Sequence, residues 1–412
     1  MKQSTDRILT SHVGSLCRPA DVLIDIIAMV KRQPVDEQAF AAKVKAATMD
    51  IVRKQVEVGV DIIGDGEQGR ASFGGYISER LGGLESRSVD QASPPPTRQS
   101  MNYPILNEEF PGFMAQYNSM YRTMWMPPEI PREGLLENMP SERTVLTGPI
   151  KYIGQTALQR DISNLREAMQ GLQYEEAFIT AATPPGNAPQ DRINNDIYRT
   201  EDDYLQAMAD ALHEEYKAIV DAGFLVQLDL GLPARNQVLP GDPHPSWEKL
   251  RRASERQVEF YNHALRGIPE DRVRYHLCWG SMNTPHTSDV PLKEIVDLIL
   301  SINAQAYSIE AANPRHEHEW MVWQDVKLPE GKILIPGIVS HQTNVVEHPE
   351  LVAWRIENYA SVVGRENVIA GTDCGFSQGW NMIRVHPEVQ WAKLRSLAEG
   401  AELASKKLWG RN

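Results

Sequence analysis

Three stretches of this chain repeat one rhythm: a helical period, a glycine, then a short apolar strand. QVEVGVDIIGDGE, IVDAGFLVQLDL and SVVGRENVIAGTD carry it, with Gly59, Gly223 and Gly364 where a helix can end in a left-handed cap at little steric cost. The runs of Val, Ile and Leu that follow are nearly continuous, which suits strands buried on both faces of a parallel sheet. Extending the search gives eight candidate strands: ILTSHVGS, VDIIGDGE, VLTGPI, FLVQLDL, VRYHLCWG, AYSIEAAN, KILIPGIVS and NVIAGTDCG. Between them, apolar residues recur three and four apart, as in Leu205, Met208, Leu212, Tyr216 and Ile219. Val352, Ile356, Tyr359 and Val363 form another such face, with Pro349 suited to a first helical turn, and Leu292, Ile295, Val296 and Ile299 a third. Strands alternating with helices in this number predict an α/β fold, a closed (β/α)8 TIM barrel rather than an open sheet.

Two proline-rich stretches interrupt the rhythm. Residues 84–143, with SPPPTRQS and MWMPPEIPREG, are expected as a long insertion after the second strand, and residues 181–201, with TPPGNAPQDRINND, as another after the third. Both are candidate lids or substrate loops at the catalytic rim of a single domain spanning 1–412; contact between copies in a homo-oligomer is the alternative. The net charge of -13 argues against nucleic-acid binding, which needs clustered Lys and Arg. No apolar run is long enough for a membrane span, and the N-terminal residues lack the apolar core of a signal peptide. Three cysteines among 412 residues do not build a disulfide scaffold, and reduced thiols point to the cytoplasm.

The downstream ends of the later strands carry soft-metal ligands. His276 and Cys278 lie in RVRYHLCWG, Glu310 in AYSIEAAN and Cys374 in NVIAGTDCG. Imidazole and thiolate are preferred ligands of zinc, and a strand repeat of two residues sends the side chains of a His-x-Cys pair to the same face. Catalytic residues of such barrels gather at these strand ends. A rival cluster is NPRHEHEW, whose His316 and His318 lack a thiolate companion and read as a solvated or supporting segment.

These residues resemble the catalytic barrel of cobalamin-independent methionine synthase and its relatives, which include shorter single-barrel methyltransferases and the epoxyalkane:coenzyme M transferases. The matching pieces are TSHVGSLCRP, GVDIIGDGEQGR, VLTGPI, GFLVQLDL, HLCWG, SIEAANPRHEHEW, PGIVSHQTNVVEHPELV and AGTDCGF, in order along nearly the whole chain. Full-length members add a second, N-terminal barrel, so the resemblance is to the short members. It implies Zn2+ held by His276, Cys278, Glu310 and Cys374. It implies that Glu67 and Asp229 hold the amino group of homocysteine, and that Ser15 meets its carboxylate. As plain structure, both carboxylates could instead cap the helices that follow them. Two departures stand out: QLDLGLP replaces the usual Asp-Glu-Pro, and Cys17 stands where proline is usual.

The implied activity is transfer of a methyl or alkyl group to a small thiol, from a methyltetrahydrofolate-type donor to homocysteine in the leading reading. Addition of a thiol to an epoxide is an alternative, and a non-catalytic barrel binding a thiol or methyl carrier is another. The leaving group needs a proton, for which His341 is the first candidate and His286 the second. Asn313 and Arg315 are candidate anchors for an acidic group, and Trp279, Trp320 and Trp323 candidate pocket walls.

Overall fold

The computed structural model describes residues 1–88, 104–120, 125–137, 139, 142–185, 196–229, 232, 242 and 244–410. Among them are ten strands: β1 (Leu9–Thr10), β2 (Ile62–Gly64), β3 (Leu81–Ser88), β4 (Glu142–Tyr152), β5 (Glu176–Ala182), β6 (Leu225–Asp229), β7 (Val273–Leu277), β8 (Ala306–Ile309), β9 (Ile333–Val339) and β10 (Ile369–Thr372). Eight of them pair in the order β1-β10-β9-β8-β7-β6-β5-β2, every pairing parallel. A parallel bridge between Ser11 and Ile62 joins the two ends of that order, so the sheet closes as the expected (β/α)8 barrel.

Alternation along the strands divides the core in two. Leu9, Ile62, Phe178, Leu225, Ala306, Ile333, Ile335 and Ile369 form one apolar cluster inside the barrel. Their chain neighbours Ile63, Ile179, Val226, Tyr307, Leu334 and Ala370 belong to the layer shared with the helices. Each fully buried Ile, Leu or Phe adds ~1.5–3 kcal/mol relative to exposure. Within the barrel, Arg274 of β7 donates to Ser11 Oγ (3.0 Å) and His12 O (3.1 Å), tying β7 to the opposite wall.

The helix ends follow the sequence. Gly59, Gly223 and Gly364 have φ of 90°, 93° and 87°, where other residues would be strained. Pro349 opens the helix Pro349–Val363, capped by His348. The face predicted around Leu292–Ile299 is shorter than expected, a single 3-10 turn (Leu292–Glu294) and the five-residue helix Val296–Leu300. No helix among the described residues is long and apolar enough to cross a membrane.

One strand assignment is corrected. VLTGPI lies in β4, which pairs antiparallel with β3 in a hairpin outside the barrel. The third barrel strand is β5, reached through the amphipathic helix Gln155–Ala168; its C-terminal residues fall in the stretch read as the start of the second insertion. Both runs have strand-like composition, and composition does not encode which partner a strand pairs with. The first insertion carries structure of its own: besides the hairpin, its described residues include helices Pro104–Glu109 and Pro111–Met120. Asn283 N donates to Tyr117 Oη (2.9 Å) and Thr287 Oγ1 to Glu109 (2.5 Å), so these helices pack on the loop after β7, at the rim. SPPPTRQS and residues 186–195 of TPPGNAPQDRINND lie outside the described residues.

Candidate metal and substrate site

The ends of β7 and β10 bring three predicted ligands together. The ligand atoms of His276, Cys278 and Cys374 all lie within 4.8 Å of one another, and the two sulfurs are 3.7 Å apart. His276 and Cys374 are buried and Cys278 half-buried. His276 Nδ1 faces Ser308 Oγ at 3.1 Å, which sets the ring; its Nε2 is buried with no hydrogen-bond partner among the described residues. Leaving such an atom unpaired costs ~1–3 kcal/mol. The contact with Cys278, burial and the charge of Glu310 push the Cys374 thiol well above its ordinary range. Thiols held protonated in this way release their protons only when a cation compensates the charge, which is the chemistry of a metal site.

Glu310, the fourth predicted ligand, lies beside this triad without joining it. Its carboxylate accepts from Trp279 N (2.9 Å) on one oxygen, and from Asn313 Nδ2 (3.0 Å) and Gln342 Nε2 (3.2 Å) on the other. It groups instead with His341 and Asp373, within 4.8 Å. Asp373 Oδ1 accepts from the backbone amides of Ala311 and Ala312 at 2.8 and 2.7 Å, while Oδ2 is buried and unpaired.

The two predicted amine-binding carboxylates are both buried near the triad. Glu67 follows β2 with φ 56°, a left-handed conformation rare for glutamate. Thr180 Oγ1 donates to its Oε1 (3.0 Å), and its Oε2 is buried without a partner among the described residues. A side chain at Gly14 would strike this carboxylate, so the close approach of the two loops requires glycine there. Asp229, at the end of β6, accepts from Gln227 Nε2 (2.8 Å). Burial pushes its carboxyl up to about 7, against the pull of His276 and with the like charge of Glu67 adding to the rise. Ser15 is buried, and a side chain at Gly375 would run into its Oγ, which places it against the loop that carries Cys374.

The remaining predicted residues divide sharply. His341 is fully buried, and neither ring nitrogen has a hydrogen-bond partner among the described residues. Burial, then the charges of Arg384, His276 and His286, lower its pKa well below the ordinary value. His286 has φ 56° and is engaged on both nitrogens, by Asp289 (2.6 Å) and Met282 O (2.8 Å). Asn313 is occupied within its own loop, bonding Glu310 and accepting from Arg315 N (3.0 Å). The Arg315 side chain is exposed. Trp279 and Trp323 are buried and Trp320 half-buried. In the rival segment His318 is exposed, whereas His316 is buried between Asp289 and Glu319 rather than solvated.

Several residues here escaped the sequence reading. Gln342 touches Glu310, Gln378 Nε2 lies 3.7 Å from Cys374 Sγ, and Ser308 orients His276. Only Asp373 had a local signal, its place beside Cys374 at a barrel strand end. The others come from loops and neighbouring strands that folding alone brings near.

No family model matches the chain. Among curated proteins it is 23% identical over 420 residues to the uncharacterized protein YxjH of Bacillus subtilis, covering 97% of this chain and 95% of that one. It is 23% identical over 382 residues to a 5-methyltetrahydropteroyltriglutamate–homocysteine methyltransferase of Thermotoga petrophila, covering 91% of this chain but 42% of the relative's length. Among solved structures it superposes on a B12-independent methionine synthase from Shewanella sp. W3-18-1 in complex with selenomethionine. That match has a TM-score of 0.66 and 18% identity, and it covers 98% of this chain and 99% of the other. The likeness to that structure is one of fold.

Proposed function

We propose that this chain is a zinc-dependent thiol alkyltransferase of the cobalamin-independent methionine synthase type. In this reading it moves a methyl group from a methyltetrahydrofolate-type donor to homocysteine, giving methionine. The observation that carries the proposal is the buried, unpartnered Nε2 of His276 among the sulfurs of Cys278 and Cys374. That donor set suits zinc, with Glu310 as the fourth ligand after a turn of its side chain away from Asn313 and Gln342. The names of the Thermotoga and Shewanella proteins favour the same substrate class.

Zinc bound there would supply Lewis acidity, lowering the pKa of an incoming thiol so that its sulfur attacks as thiolate. The rest falls to the protein. Glu67 and Asp229 accept from the substrate ammonium, for which Glu67 Oε2 has an open position, and Ser15 meets the carboxylate. Fixing the amino acid at two points aims its sulfur, and holding both reactants in line supplies much of the rate gain. His341 returns a proton to the leaving group. Burial holds it neutral, so the proton it delivers is the one the incoming thiol gives up, accepted first by the ring and then passed to the leaving group. The chain is read as one catalytic domain with 84–143 and 181–201 inserted on the rim, working in the reducing cytoplasm on small-molecule substrates.

Two parallel incubations test this, one with homocysteine and methyltetrahydrofolate and one with coenzyme M and small epoxides. Methionine in the first alone, from protein holding about one zinc per chain, is expected. A thioether in the second alone would move the assignment to epoxide opening, and turnover by metal-free protein would end it.

A further inference from the structure

Behind Glu310 runs a fully buried chain of charged side chains. Glu319 Oε2 faces His316 Nδ1 at 2.8 Å; His316 Nε2 faces Asp289 Oδ2 at 3.0 Å; the same oxygen faces His286 Nδ1 at 2.6 Å. His286 Nε2 then meets Met282 O at 2.8 Å, and Gln342 Nε2 lies 3.2 Å from it. Each imidazole has an oxygen acceptor against both of its nitrogens, an arrangement that favours the doubly donating imidazolium. Imidazolium charges here are offset by the two carboxylates, and all four ring nitrogens, Asp289 Oδ2 and both Glu319 oxygens have partners. Burial would lower both histidines, but Asp289 and Glu319 bring His316 up to about 8, and Asp289 with Glu310 raises His286.

This chain joins two rim loops. His286 and Asp289 follow β7, His316 and Glu319 follow β8, and Glu319 Oε1 also accepts from Leu292 N (2.7 Å). From the joined loops, contacts reach both oxygens of Glu310. His316 stacks on Trp279, with ring centroids 4.0 Å apart; Trp279 Nε1 donates to Val290 O (2.7 Å), next to Asp289, and its backbone N donates to Glu310 Oε2. On the other side Gln342, against His286, donates to Glu310 Oε1.

The geometry points to a positioning role: Glu319–His316–Asp289–His286 clamps the loops after β7 and β8 so that Glu310 is kept beside His276, Cys278 and Cys374, one side-chain turn from joining them. The inference rests on the metal-centre reading above and adds four positioning residues to it. Supporting groups of this kind typically change metal affinity about 10–100-fold.

The probe is Co2+ alone, bound to the full chain and followed by its visible absorption, which reports ligand number and symmetry without turnover. Asp289→Asn removes the charge shared by both imidazoles; His316→Phe keeps a ring on Trp279 but loses both hydrogen bonds. Both variants are expected to bind Co2+ about 10–100-fold more weakly and with shifted absorption bands, while the metal-free proteins keep the wild-type circular dichroism. Glu319→Gln, at the far end of the chain, should shift in the same direction by less. Should Asp289→Asn not fold, His316→Phe decides alone. Wild-type affinity and an unchanged spectrum in the folded variants would overturn the positioning role and leave the metal centre standing. A wild-type protein that binds no Co2+ would overturn both.

Discussion

Two histidine clusters sit a few residues apart at the same barrel rim and differ in one physical respect. In the His286–Asp289–His316–Glu319 chain both nitrogens of each ring have partners, so the two histidines are satisfied as they stand. Around His276 and His341 the reverse holds: His276 Nε2, both His341 nitrogens, Asp373 Oδ2 and Glu67 Oε2 are buried and unpaired. A folded chain tolerates such costs where something else completes the bonding. The satisfied pair braces the rim loops, and the unsatisfied pair lies where the proposed ligands would bind.

The largest expected effect cuts at the unsatisfied side. Cys374→Ser should lose zinc, and with it several kcal/mol of catalytic stabilisation, about a thousandfold or more in turnover, with the far-ultraviolet circular dichroism unchanged. Elemental analysis beside an activity assay checks it, and retained metal would remove Cys374 from the site. Next, Glu67→Gln should weaken homocysteine by about 30-fold while leaving the desamino thiol untouched, as removal of one partner of a buried charge pair predicts. Calorimetric titration with both thiols separates this from a structural role, in which the two would weaken alike.

A smaller effect concerns pH. Asp229 has its folded pKa raised to about 7, so the unfolded chain gives up this proton first as pH rises. Its contribution to stability is full below the unfolded value near 4 and is lost as pH climbs to about 7. Asp373, also pushed up to about 7 by burial, shares the window. Asp229→Asn in the metal-free protein should therefore flatten, without abolishing, the fall of melting temperature between those limits; an unchanged slope would show that Asp229 stays ionised. The smallest effect is expected from Arg315→Ala. Its exposed side chain should cost less than about 0.5 kcal/mol in thermal unfolding and leave metal content unaltered. A large loss of substrate affinity there would instead restore Arg315 as an anchor.

Much of the barrel was legible in the chain because its determinants are local. Gly59, Gly223 and Gly364 end helices through their own φ angles, and β6, β7 and β10 announce themselves as apolar runs. The error at VLTGPI shows the limit: β4 and β5 have similar composition, and only pairing distinguishes a hairpin arm from a barrel stave. The site divides in the same way. His276 and Cys278 share a face by strand periodicity, and the position of Cys374 follows from its own strand end.

What the amino-acid order determined alone was therefore whatever depends on near neighbours: helix stops, strand faces, and which residue types stand at strand ends. Tertiary structure decided everything that depends on hydrogen-bond completion across distant segments. It joined His316 to Asp289 and decided, between a solvated and a supporting residue, for a buried supporting one. It turned Glu310 toward Asn313 and Gln342, and it left His276 Nε2 without a partner. The reason is that a polar group's role is set by whether its bonding is satisfied, and its partners here lie on loops far apart in the chain.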